Sequence, residues 1–385
     1  MRVAIMTDSY RPTVDGVATA VVVTRAALEA LGHTVFVIAP DPGPEFREEG
    51  VYYFKARTLK SYPGYYVPKL MSRGATKLIR ELHPDIIHVR GVAVMAVKAM
   101  LASHNTGVPT VLTYDTLVTD VIGIYSPVRL PKSWLVKLSS IYLRQLLKRP
   151  NAILVPTPSA GREVTENLKA VPRRLEVVPT GIDTGRFTRN PEGGRKVREK
   201  YGIPADAKVV ITVGRVSYEK NVELILKSLP RLPEGTILMV VGEGPALEDL
   251  KKLAHDLNIE DKVVFTGYQK GQDLVDCYSC ADCFVSASVF ETQGFTVQEA
   301  MSCGLPAACG NGRAFTDFVH DGENGYLFNL TEEECADAII KALNAPPEVR
   351  AAGKATAESY GIRPTTERLV SVYQSVIDSK KEEKA

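Results

Sequence analysis

Two α/β domains, each built on a doubly wound parallel sheet, are what this sequence predicts. Three observations lead there. At 385 residues the chain exceeds one compact core. Short, nearly continuous apolar runs alternate with amphipathic stretches of helical period. That alternation stops near the middle and then begins again. In the first half, 2–6, 35–39, 85–89, 110–113, 152–156 and 175–178 read as strands buried on both faces. The stretches 17–31, 69–82 and 92–104 between them are helical: Val21, Thr24, Leu28 and Leu31 share one face, and Gly32 follows as a C-terminal cap. In the second half, strands at 208–213, 236–241, 262–266, 282–286 and 306–308 enclose helices at 221–229, 246–257, 271–280 and 298–303. The segment 185–194, with Pro191 and two consecutive glycines, carries turn chemistry and marks the boundary. The expected domains are therefore 1–185 and 186–363. A last segment, 364–385, holds a helix from about Thr365 to Lys380 after Pro364, then a charged tail. Two such sheets face one another across a cleft, and open parallel sheets bind ligands outside the carboxyl ends of their strands.

Composition narrows the function. With 45% hydrophobic and 24% charged residues the chain is globular, and a net charge of +2 gives no reason to expect a nucleic-acid partner. No apolar run approaches the roughly 18–20 residues of a membrane span. The apolar start RVAIM is short and runs into Asp8, Arg11 and Asp15, unlike a signal peptide, so the expected location is cytoplasmic. The spacing in CYSCADC superficially resembles that of iron–sulfur ligands but lacks a nearby fourth ligand. Cys277, Cys280, Cys283, Cys303, Cys309 and Cys335 read as reduced core residues, and no metal is expected. His33 and His88 sit at strand edges as packing residues.

Three strand-to-helix junctions carry the chemistry. The first, TDSYRPTVDGVATAV, places Gly16 before a helix whose exposed amides attract phosphate; a plain turn glycine is the alternative. The second, ITVGRVSYEKN, ends a buried strand with Arg215 and Lys220, two cations suited to clamp a diphosphate. The third, ETQGFTVQE, sets Glu291 in a loop and Glu299 in the second turn of a helix beginning near Phe295, with the amides around Gly294 exposed between them. A carboxylate there accepts hydrogen bonds from vicinal sugar or ribose hydroxyls. Two carboxylates also make a glycosidase pair, and their separation is not readable through a loop.

Taken in this order, these segments resemble the family-4 glycosyltransferases of the GT-B fold. The resemblance spans nearly the whole chain and is most specific at GRVSYEKN, VVGEGP, ETQGFTVQE and DGENGYLF. It implies two Rossmann-like domains, the first binding the acceptor and the second the nucleotide sugar, with the C-terminal helix crossing back to the first. It also implies an enzyme that transfers a hexose with retention of configuration. Arg215 and Lys220 then bind the donor diphosphate, with a backbone amide from Gly16. Glu299 holds the ribose hydroxyls. Glu291 and the amides near Gly294 and Phe295 hold the transferred sugar, Thr296 lies close to the phosphates, and Tyr268 borders the base. A UDP-sugar is expected ahead of a GDP-sugar. No metal or other cofactor is needed, because the cations and helix dipoles stabilise the leaving diphosphate. Oligomeric state is not implied.

One position departs from the pattern. Relatives acting on lipids commonly read TYHT where this chain reads TYDT, so Asp115 stands at a histidine position. An ionised aspartate accepts hydrogen bonds but cannot donate them, and it adds negative charge beside a diphosphate, which predicts slow transfer. A natural adaptation, a disabled variant and a shifted local alignment all fit the sequence, and a catalytically weak nucleotide-sugar-binding protein is one reading.

The acceptor is suggested by 133–149, SWLVKLSSIYLRQLLKR. Leu135, Leu138, Tyr142 and Leu146 form an apolar stripe; Trp134, Lys137, Ile141, Arg144 and Lys148 form an aromatic and basic one. Such a helix suits an anionic membrane surface, whereas a helix packed on its own domain with solvated cations is the plainer reading. SYRPTVDGVATAV and TYDT resemble diacylglycerol glucosyltransferases and related glycolipid synthases, which implies a lipid acceptor such as diacylglycerol and peripheral attachment to the inner face of the membrane. A soluble polyol, sugar phosphate or glycan is the alternative acceptor. The tyrosines of 61–70 are candidates for the acceptor entrance.

Overall fold

The computed structural model describes residues 1–13, 15–58, 66–69, 74–115 and 132–383. The chain divides into two units: Met1–Gly181 together with Ile362–Ala385, and Ile182–Gly361. The sequence-based boundaries at 185/186 and 363/364 lie four and two residues away. The reason is local. Pro191 does not mark a linker but opens a helix, Pro191–Lys200, and Gly194 packs so tightly on the backbone of Ser279 that an added Cβ would lie 2.6 Å from its carbonyl oxygen.

Unit 1 is built on strands β1 (Arg2–Thr7), β2 (Thr34–Pro40), β3 (Val51–Phe54), β6 (Ile86–Arg90), β7 (Thr110–Thr113), β8 (Ala152–Val155) and β9 (Leu175–Val177). They pair in parallel in the order β3-β2-β1-β6-β7-β8-β9. A two-stranded antiparallel ribbon, β4 (Ala56–Thr58) with β5 (Tyr66–Pro68), follows β3. The helices used below are α1 (Gly16–Ala30), α2 (Gly74–Leu82), α3 (Val94–Thr106) and α4 (Lys132–Leu147). Of the helix expected at 69–82, residues 70–73 lie outside the described residues, as do most of the tyrosine-rich stretch 61–70.

Unit 2 repeats the plan with β10 (Lys208–Val213), β11 (Thr236–Val241), β12 (Val263–Gly267), β13 (Cys283–Ser286), β14 (Ala307–Gly310) and β15 (Tyr326–Phe328), in the order β12-β11-β10-β13-β14-β15. All pairs are parallel. Its helices include α5 (Gly271–Cys280) and α6 (Phe295–Ser302). In both units the order reverses between the first strand and the fourth of the main sheet. Loops leaving those neighbouring strands diverge to opposite faces and open a crevice at their carboxyl ends.

The final helix, α7 (Ile362–Glu382), belongs to unit 1. It starts before Pro364, which sits in its first turn where a missing amide costs nothing. Leu369, Val372, Tyr373, Val376 and Ile377 share a core with Val3, Ile5, Val21 and Leu28. Tyr373 bonds through its hydroxyl to His88 Nδ1 at 2.5 Å, and His88 Nε2 meets Thr113 Oγ1 at 2.7 Å. The C-terminal helix thus crosses back onto the first sheet. His88 is wholly buried, and burial, helped by the Arg90 charge, lowers its pKa well below the usual value, so the ring is neutral.

All six cysteines are buried and unpaired. Cys283 lies in one core cluster of unit 2 while Cys277 and Cys280 lie in another, so CYSCADC does not converge on one point. Among the described residues no His/Cys/Asp/Glu group is arranged to hold a metal ion. Nor is any described helix long and apolar enough to cross a membrane.

Candidate functional site

In unit 2 the charged loops gather at the strand-order reversal. β10 ends at Val213, Gly214 and exposed Arg215 follow, and a short 3-10 turn, Tyr218–Lys220, leads into the next helix. β13, the neighbour of β10, leads into the loop carrying Glu291. The amide of Val289 donates to the carbonyl of Glu219 at 3.1 Å, which ties the two loops together. Lys220 Nζ consequently reaches Glu291 Oε1 at 2.5 Å, with both side chains largely shielded from solvent (28% and 17% exposed). The two motifs are 71 residues apart in sequence; the parallel pairing of their strands brings them into contact.

VVGEGP explains itself at the same edge. The amide of Gly214 donates to Val241 O and that of Val216 to Glu243 O, so the loops after β10 and β11 run side by side. A Cβ on Gly242 would collide with the carbonyl of Gly214, and its φ of +142° also favours glycine.

Glu299 lies in the second turn of α6, as its spacing predicts. Gly294 forms the N-cap with φ +79° and ψ +47°, left-handed, and a Cβ there would stand 2.9 Å from the Phe315 ring. Only glycine fits both constraints. The chain then enters the helix through Phe295 and Thr296, with the amides of Val297 and Gln298 donating back to Gly294 O. Burial pushes the Glu299 carboxyl up to about 7, against the hydrogen bond from Tyr278 and the field of Arg186. Tyr278 donates its hydroxyl to Glu299 Oε2 at 2.8 Å. It is fully buried on α5 and flanked by Phe187 and Phe284. The two carboxylates of ETQGFTVQE are therefore held by different partners. Tyr268 follows β12, half exposed, its amide 3.4 Å from Glu243 Oε1. The DGENGYLF motif is structural: Asn324 Nδ2 donates to Phe318 O at 2.8 Å and Thr356 Oγ1 at 2.9 Å, closing the turn before β15.

In unit 1, Gly16 is the first residue of α1. Asp15 caps that helix, its Oδ1 accepting from the Ala18 amide at 2.7 Å and its Oδ2 from Ser9 Oγ at 2.6 Å. The helix start thus carries a carboxylate of its own, which competes with an incoming phosphate. Asp115 stands two residues beyond β7, and Arg90, the last residue of β6, donates from Nη1 to Asp115 Oδ2 at 3.1 Å. Burial raises the Asp115 carboxyl above its ordinary range while Arg90 pulls it down. The negative charge expected at Asp115 is therefore balanced, a correction that only the pairing of β6 with β7 reveals.

The helix α4 also departs from expectation. Leu143, Leu146 and Leu147 are buried with Ser139, whereas Leu138 (52%) and Tyr142 (40%) are exposed. The inward face is rotated from the expected stripe. Arg144 turns in, its Nε bonded to Leu168 O at 2.5 Å, and leaves the basic face. Trp134 (64% exposed), Lys137, Leu138, Ile141 and Lys148 remain outward.

Tyr278 and Arg90 escaped the sequence reading. Tyr278 sits inside a cysteine pattern, though a tyrosine at the buried spacing of a helix needs a hydroxyl partner. Arg90 ends an apolar strand, where a charge buried without a partner is costly.

Two units of the same strand order, each with its charged loops at the reversal, define a doubly wound two-domain α/β protein of the kind that binds nucleotides. Residues 194–359 match the model of glycosyl transferases group 1, and residues 14–186 that of glycosyltransferase family 4. The chain is 28% identical over 358 residues to an alpha-monoglucosyldiacylglycerol synthase of Streptococcus pneumoniae, covering 91% of this chain and 80% of that one. It is 30% identical over 351 residues to a GDP-mannose-dependent alpha-mannosyltransferase of Mycolicibacterium smegmatis, covering 87% and 86%. Anabaena Alr3699/HepE, solved in complex with UDP, superposes with a TM-score of 0.79 at 19% identity, over 97% of this chain and all of that one. The chain belongs to the family-4 glycosyltransferases and has the GT-B fold.

Proposed function

We propose that this glycosyltransferase moves a hexose, with retention of configuration, from a nucleoside-diphosphate sugar to a membrane lipid such as diacylglycerol. The observation that carries the reading is the meeting of Lys220 with Glu291 on the loops that follow two paired strands, beside a helix start that presents Gly294, Phe295 and Thr296. In this reading Lys220 and Arg215 bind the diphosphate and neutralise the charge that develops on it. Glu291 orients the transferred sugar and Glu299 accepts from the ribose hydroxyls. Tyr268 borders the base. The bond from the anomeric carbon to the diphosphate breaks as the acceptor oxygen attacks the same face, and the departing phosphate takes the acceptor's proton. The cations and the α6 amides supply the stabilisation a metal ion would otherwise give.

A lipid acceptor is supported by the named synthase relative and by the outward face of α4, where Trp134, Leu138 and Ile141 lie beside Lys137 and Lys148. Peripheral attachment to the inner membrane face is part of the same proposal. A UDP-sugar is favoured over a GDP-sugar, although the GDP-mannose-dependent relative keeps the second in the test.

A thermal-shift panel of UDP-, GDP- and ADP-sugars identifies the donor, since a ligand bound only by the folded state raises Tm. The selected donor is then offered diacylglycerol in anionic vesicles and soluble polyols, with and without a chelator. Transfer to the lipid that survives chelation, with net retention by NMR, is the expected result. Transfer only to soluble acceptors overturns the lipid assignment, and binding without transfer leaves a nucleotide-sugar-binding protein.

A further inference from the structure

The arginine at the end of β6 is 97% buried, and all of its described polar contacts fall in unit 1 (its exposure is 3%). Nη1 donates to Asp115 Oδ2 at 3.1 Å, and Nη2 donates to Thr24 Oγ1 and Thr180 Oγ1, each at 3.0 Å. Its Nε has no hydrogen-bond partner, and a cavity of about 20 Å³ lined by Thr24, His88, Arg90, Thr113 and Thr180 adjoins it, large enough for one water. The guanidinium is thus fixed by three elements: α1, the loop after β7 and the segment after β9.

Two other carboxylates act on Asp115, and neither replaces it as a counter-ion. Asp8 acts on it through space but accepts from the amides of Ala93 and Met95 at the start of α3. Asp15 also raises the Asp115 carboxyl, and it caps α1. His88 lies two residues before Arg90 on the same strand face and is neutral. An imidazole at 115 would therefore face the buried guanidinium without the carboxylate that now contacts it, while Asp8 and Asp15 stay engaged at their helix starts. A single exchange of the aspartate leaves a buried charge unpaired, which costs far more than losing the pair as a whole.

We propose that Arg90 is the positioning residue for Asp115, so that the two side chains work as one unit in transfer and are exchangeable only together. This rests on the transferase reading above. Arg90 touches one carboxylate oxygen and aims the group, and Asp115 acts as a hydrogen-bond acceptor toward the hydroxyl of the acceptor. The departure from TYHT then accompanies Arg90 and is no defect.

The test is a cycle of Arg90→Gln, Asp115→His and the double variant, with Arg90→Lys as the charge-keeping control. Tm, kcat and the donor KM are read for each. Each single change is expected to lower kcat at least tenfold while donor KM moves less than threefold, since the side chains proposed to bind the donor lie in unit 2. The double variant is expected to regain at least tenfold over Asp115→His. Arg90→Lys is expected to keep Tm near wild type but to lose kcat, because an ammonium does not orient a carboxylate as a planar fork does. Effects on kcat that simply multiply, or a fully active Asp115→His single variant, overturn the proposal. Coupling in Tm without coupling in kcat makes the pair structural only and also overturns it. A wild type that binds donor but transfers to nothing refutes the transferase reading itself.

Discussion

Lys220 and Glu299 show how burial sets the chemistry of single residues. Lys220 rests on Glu291, so the ammonium proposed to bind the donor diphosphate is already fixed in place. Replacing it with alanine removes a preorganised cation, and a loss of about 10²–10³ in kcat is expected from steady-state kinetics. Glu299 is a carboxyl raised to about 7 from an ordinary value of 4.5. Because its folded pKa is the higher one, it stabilises the fold most below pH 4.5, and that contribution is lost as pH rises through about 7. In the proposed role only the ionised form accepts from both ribose hydroxyls, so donor affinity should rise over the same window. In Tyr278→Phe the bond favouring the carboxylate is gone. The rise in affinity, followed by titration calorimetry, should move to higher pH by about one unit. An unshifted profile would show that the tyrosine does not govern Glu299.

At the scale of the element, two helices divide the work. The start of α6 is shaped by Gly294, whose left-handed backbone and contact with Phe315 both exclude a side chain. Gly294→Ala should cost about 1–3 kcal/mol in chemical denaturation and weaken donor binding, since it shifts the amides of the first turn. The other helix, α4, keeps Leu143, Leu146 and Leu147 inside and leaves Trp134, Ile141 and Lys137 outside. Trp134→Ala combined with Lys137→Glu should abolish most co-sedimentation with anionic vesicles while leaving Tm unchanged, because neither side chain is in the core. Retained vesicle binding would assign membrane contact to another surface.

The molecule as a whole repeats one strand order in two units and closes the first with its last helix. The Tyr373–His88–Thr113 chain joins α7 to the middle of the first sheet with no solvent access. Tyr373→Phe leaves a buried ring nitrogen without its partner and should lower unfolding free energy by about 1–3 kcal/mol, read by thermal or denaturant melts. The C-terminal segment belongs to unit 1, as the resemblance implies, and the first boundary lies four residues before the expected one. Pro191, Gly193 and Gly194 look like a linker, yet they serve a helix packed against α5.

Much was legible without coordinates. Apolar period located most strands of the two sheets, because a strand buried on both faces must be apolar throughout. The motifs GRVSYEKN and ETQGFTVQE revealed their loops through glycine and charge. Short strands such as β15, and β3 with its half-exposed tyrosines, gave no such signal, since three or four mixed residues carry no period. Strand order was invisible as well, and it alone decides which distant side chains meet. Lys220 reaches Glu291, and Arg90 reaches Asp115, because β10 lies beside β13 and β6 beside β7. Local sequence determines what a segment becomes, since propensity and burial act over a few residues. Which charge finds its partner depends on contacts across tens of residues, and those are decided only when the sheets assemble.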